Sequence, residues 1–205
     1  MQSTLVGACN DGLLFPRCVA SLREEIQCLN LDEPGDQGLA VVVDHQILLR
    51  KKPAQRFAPV DMLEDLHTNL FMSVYKTAST GEFNSDDIHP LRYRGWVFSM
   101  SGPMPEELDR SDGPLSEGLP SFLEESRMRE DYGATLFSYF VGALYESGLL
   151  DAVNDQKERV LECLTGGMSR FRVLSGMQAI PFSFTLMRKE FAVGFVGECG
   201  VQRLD

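Results

Sequence analysis

The run Leu39-Ala40-Val41-Val42-Val43 constrains this chain more than any other segment. A strand exposed on one face alternates apolar with polar residues, whereas five apolar residues in succession read as a strand buried on both faces. Such a strand needs cover above and below, and partners on its flanks. Asp44-His45 reads as a hairpin turn, and Gln46 to Lys52 as the strand returning from it, closed by Pro53.

The flanking segments supply further strands and a group of helices. Leu5-Val6-Gly7-Ala8-Cys9 reads as a short strand ended by the turn residues Asn10-Asp11-Gly12. From Pro16 onward, Val19, Leu22, Ile26 and Leu29 recur at helical spacing and form the apolar face of an amphipathic helix. Asp32 to Asp36 is turn-rich. Leu63, Leu66 and Leu70 suggest a helix over 60–70, followed by a strand at Phe71 to Lys76 and a polar loop from Ser79 to His89. Trp96 to Met100 alternates as a half-buried strand would, ending at Ser101-Gly102. Residues 103–121 hold four prolines among Gly, Ser and acidic residues, which implies a loop and the weakest point of the fold. Two apolar helices follow. One is marked by Leu136, Phe137, Phe140, Val141 and Leu144 and stops near Gly148; the other spans 155–171, with Gly166-Gly167 reading as a helix stop. Pro181 to Met187 and Phe191 to Val196 close the chain as strands about a turn at 188–190. Strands at both ends with helices between them imply an α+β fold, and 205 residues suit a single domain.

Charge and composition narrow the function. Thirty acidic against nineteen basic residues give a net charge of −11. With no Lys/Arg-rich stripe, nucleic acid is not an expected partner. No apolar run reaches the eighteen or so residues of a membrane span, and the first residues lack the pattern of a signal peptide. Five cysteines scattered at 9, 18, 28, 163 and 199 form no disulfide framework and read mainly as small buried hydrophobes, so a reducing cytoplasm is the expected location. His45, His67 and His89 lack companions at ligand spacing, and no glycine-rich phosphate loop is present; neither a metal nor a cofactor is expected.

The middle of the chain carries a resemblance. Lys76-Thr77-Ala78-Ser79, then His89-Pro90-Leu91, then Gly95-Trp96-Val97-Phe98-Ser99-Met100-Ser101-Gly102 resembles a run in class II glutamine amidotransferase domains. That run is a strand ending in Arg-x-Ala-Ser/Asn, a His-Pro-Phe, and a strand ending in His-Asn-Gly. The leading Leu5-Val6-Gly7, the strand after Gly38 and the closing hairpin are similar to those of the small stand-alone members. The resemblance implies an N-terminal-nucleophile hydrolase fold: a four-layer αββα sandwich of two antiparallel sheets flanked by helices, with the first strand central in a sheet and its nucleophile facing the space between the sheets.

Set against that family's chemistry, the departures are substantial. Its nucleophile is a terminal cysteine whose own α-amine is the general base. Here residue 2 is Gln, too large for the usual removal of Met1, and the resemblance puts Ser3 at the nucleophile position without a free amine. The Asn-Gly that supplies the oxyanion donors is matched by Ser101-Gly102. Losing one such donor costs on the order of 10²–10³ in rate. The arginine that grips the substrate carboxylate is matched by Lys76, which keeps the charge and lacks the fork; the carboxylate that accepts the substrate amine is matched by Asp131. Read from the residues alone, Ser3 is a strand residue, Lys76 and Asp131 are solvated charges, Ser101-Gly102 is a strand-end turn, and His89-Pro90 fixes loop shape. The expectation is a catalytically inactive amidotransferase-like protein that acts as a binding or regulatory module for a protein partner or a small amino-acid-like ligand. The alternative is an active amidase or γ-glutamyl hydrolase that uses Ser3 after processing.

Overall fold

The structure is a computed structural model describing residues 2–14, 35–55, 67–77, 88–105, 108, 113–116, 119–126 and 133–197. The helix expected from Pro16 to Leu29, the segment 60–66 and most of the 79–89 loop lie outside these residues, as do Cys18, Cys28, Cys199 and Asp131.

Among the described residues, eight strands form two four-stranded antiparallel sheets. The first has the order β1 (Gln2–Leu14), β4 (His67–Thr77), β2 (Gly35–Val43), β3 (Gln46–Gln55). The second runs β5 (Leu91–Tyr93), β6 (Trp96–Ser101), β7 (Ser183–Met187), β8 (Ala192–Phe195). The described helices are α1 (Ser121–Ser126), α2 (Ala134–Glu146) and α3 (Lys157–Ser175). Packing divides the chain into two compact units: Met1–Ser101 with Thr185–Ala192, and Gly102–Phe184 with Val193–Asp205.

The first unit is built around the strand pair foreseen at 39–52. β2 is buried along Gly35 to Val42, and the turn at Asp44-His45 carries both residues at positive φ (49° and 62°), the hand that a tight hairpin requires. β3 continues past Pro53 to Gln55. In β1 the predicted turn at Asn10-Asp11-Gly12 is instead an irregularity within one strand, where pairing with β4 shifts between Ala8 and Leu13. Leu70, expected in a helix, is a β4 residue, because its neighbours pair with both β1 and β2. Among the described strands β1 lies at the edge of its sheet, where the resemblance implies a central position.

Sheet packs on sheet within this unit. Ala40, Val42, Ile47, Leu70, Met72 and Val74 from the first sheet share one core with Val97 and Met187 from the second. β6 is buried on both faces, not half-exposed as its alternation suggested: Trp96 to Met100 are each at most 1% exposed. Val97 and Ser99 take the side of the first sheet. On the other, Trp96 meets Phe191 edge-on at 5.9 Å and lies 5.5 Å under the Arg188 guanidinium.

In the second unit α2 and α3 carry the apolar stripes expected of them. Gly148 (φ 67°) follows α2 and Gly176 (φ 65°) ends α3. Gly166-Gly167 does not stop α3; it lies inside the helix. The reason is packing: a Cβ on Gly167 would sit 3.2 Å from the Phe140 ring, and the Tyr139 hydroxyl donates to the Gly167 carbonyl at 3.0 Å, so α2 approaches α3 where a side chain is missing. Within the proline-rich stretch, Leu108 and Leu115 are buried, and turns close at Pro105 and Gly113. The described part of this loop is therefore anchored by leucines rather than carried free.

Candidate functional site

β4 runs between β1 and β2, so Phe71 to Lys76 each have a cross-strand neighbour on both sides. Lys76 is opposite Gln2 on β1 and Asp36 on β2; the next row on that face is Thr4, Val74 and Gly38, and the next Val6, Met72 and Ala40. Directly opposed residues share a face. Lys76 and Asp36 thus stand on the face that Val74, Met72 and Ala40 turn toward the core shared with β6. Asp36 is buried and Lys76 half-buried, and opposite charges so placed attract by about 0.2–1 kcal/mol. Asp36 was expected in a turn. It is the second residue of β2, and no local sequence signal reports the long-range pairing that brings it beside Lys76.

A hydrogen bond between the hydroxyls of Thr4 and Ser99, at 2.7 Å, joins the same face to the second sheet. Val97 belongs to the shared core and Ser99 meets Thr4, so β6 advances toward the Lys76 row, with Ser101 on the same alternation as Val97 and Ser99. Ser3, in contrast, is opposite Tyr75 in register, one step out of the alternation that takes Thr4 to Ser99.

The five residues singled out from the sequence are therefore distributed as follows. Ser3 and Lys76 lie on adjoining strands, one register step apart. Ser101 ends β6 in the same unit, half-buried. Gly102 belongs to the second unit. Its φ is 100°, and a Cβ there would collide with the Pro181 carbonyl and crowd Phe182, so glycine is demanded by the backbone. Asp131 lies outside the described residues.

His89 is buried beside this face. Its Nδ1 accepts a hydrogen bond from the Met100 N–H at 3.2 Å, which leaves Nε2 to carry the proton of the neutral ring, and its ring lies 5.8 Å from that of Phe98. Gly38 makes room for the same segment: a Cβ on it would collide with the His89 carbonyl. His89 thus ties β6 to β2 through its neighbours. Among the described residues, no three His, Cys, Asp or Glu side chains gather as a metal ion would need, and no helix is long and apolar enough to cross a membrane.

No protein-family model matches the chain, and no curated protein matches it.

Proposed function

We propose that the chain is a catalytically inactive, amidotransferase-like binding module built on a four-layer αββα sandwich. Its ligand is a small amino-acid-like molecule or a protein segment presenting the same groups, and its role is regulatory. The observation that carries this reading is the Thr4–Ser99 hydrogen bond. It turns Thr4 toward the second sheet, while Ser3, matched to the nucleophile, is one register step away, opposite Tyr75. Among the described strands β1 lies at the edge of its sheet, which departs from the family's central first strand and counts against that kinship as well as against a terminal nucleophile.

Binding is favoured by what remains. Lys76 and Asp36 set opposite charges side by side, complementary to the carboxylate and the amine of an amino acid. Lys76 lacks the bidentate fork of an arginine, which suits recognition by charge rather than the rigid orientation that chemistry on a substrate amide requires.

Three measurements test the proposal. Intact-protein mass with Met1-Gln2 retained, together with glutamine hydrolysis no faster than buffer, is the expected result. Calorimetric titration with L-glutamine is expected to show binding that Lys76→Ala and Asp36→Ala weaken. Glutamine turnover abolished by Ser3→Ala would overturn the reading in favour of a processed serine nucleophile.

A further inference from the structure

The second unit holds a groove of about 180 Å³ between α3 and strands β7 and β8, lined wholly by residues of that unit. One wall is a stripe of α3 at spacings of three and four: Leu161, Leu164 or Thr165, Met168 and Arg172. The other wall is aromatic. Phe184 and Phe195 stack at 5.5 Å with their rings 19° apart, and Phe140 backs Phe184 at 4.7 Å.

The polar groups of the groove are unequal. Thr165 turns its hydroxyl proton back to the Leu161 carbonyl at 2.8 Å, and Ser169 turns its own to the Thr165 carbonyl at 3.0 Å. Both hydroxyls thus spend their donors on the helix. Arg172 is the one charged side chain in the lining, and a guanidinium matches a carboxylate in shape and charge. Size narrows the ligand further. An apolar cavity of about 150 Å³ accepts benzene, so this groove has room for a phenyl ring and a short methylene linker. Rings are favoured over branched chains by the stacked phenylalanines and by the polarizable sulfur of Met168.

The geometry points to a binding site for a small aromatic monocarboxylate, its ring between Met168 and the Phe184–Phe195 stack and its carboxylate on Arg172. This site is independent of the Lys76–Asp36 reading, and either can fail without the other.

The test is isothermal titration of the full chain with 3-phenylpropanoate, 3-phenylpropan-1-ol and 3-phenylpropylamine. The acid is expected to bind with a Kd at or below about 1 mM, a modest value for so few atoms. The alcohol is expected to bind at least about fivefold more weakly and the amine more weakly still. Arg172→Gln should bring the acid down to the level of the alcohol while leaving the alcohol within about twofold. Thr165→Phe, a change at an exposed helix position that fills the groove, should abolish binding of both while the circular dichroism spectrum stays that of the parent. Equal binding of acid and alcohol by the parent protein, no saturable heat up to about 10 mM acid, or undiminished binding by a folded Thr165→Phe variant would each overturn the assignment.

Discussion

The two adjacent glycines of α3 allow the packing argument to be tested by sign. Gly166 and Gly167 share a helix interior, so replacing either by alanine gains the same intrinsic propensity, about 0.8–1 kcal/mol. Their surroundings differ. A Cβ on Gly166 meets nothing within 4 Å, whereas one on Gly167 would lie 3.2 Å from one Phe140 ring atom and 3.4 Å from another. Phe140 cannot easily give way: it is fully buried and held between Tyr139 and Phe184, at ring distances of 5.5 and 4.7 Å. Overpacking of this kind costs about 1–3 kcal/mol. Gly166→Ala should therefore stabilise by about 1 kcal/mol, near 2–4 °C in Tm for a chain of this size. Gly167→Ala should be neutral to destabilising by about 2 kcal/mol, the difference between the overpacking cost and the propensity gain. Urea unfolding followed by far-ultraviolet circular dichroism, with thermal melts beside it, reads both. If Gly167→Ala stabilised as much as Gly166→Ala, α2 would not approach α3 at that point and the account of the double glycine would be wrong.

Two further predictions concern single groups. Thr4→Val and Ser99→Ala should each destabilise, and a double-mutant cycle in denaturant melts should return a coupling of about 0.5–1.5 kcal/mol; strict additivity would mean that the two hydroxyls do not bond. Burial raises the pKa of the Tyr139 phenol above its ordinary value of 10.0, against the lowering pull of Arg170. The unfolded chain then releases that proton at lower pH than the folded one, so the stability from this group is whole below pH 10 and is lost as pH rises through the folded value. Tyr139→Phe should flatten that alkaline loss in melts collected across the range, and an unchanged profile would show that the phenol is not desolvated.

Much of the strand framework was legible because it depends on local pattern. Leu39 to Val43 announced a doubly buried strand, Asp44-His45 its hairpin, and the apolar stripes of α2 and α3 their helices. The errors share one physical origin: short signals overridden by distant partners. Asn10-Asp11-Gly12 has turn chemistry, yet β4 pairs on both sides of it and the strand survives as an irregularity. Leu70 fits a helical spacing with Leu63 and Leu66, but cross-strand pairing with Ala8 of β1 claims it. Gly166-Gly167 resembles a helix end because the ring that it accommodates is more than twenty residues away in sequence. At the site, Lys76 was visible through the resemblance. Asp36 beside it and Thr4 opposite Ser99 were not, since both arise from sheet register and from stacking of one sheet on the other.

The complete enclosure of Trp96 to Met100 has a kinetic consequence. Main-chain amides in a segment covered above and below exchange with solvent only when its surroundings come apart, so this stretch should retain its hydrogens longest in heavy water. It would act as the clock of the whole first unit: any molecule that grips Lys76 and Asp36 should slow that clock, whether or not it alters the shape of the protein.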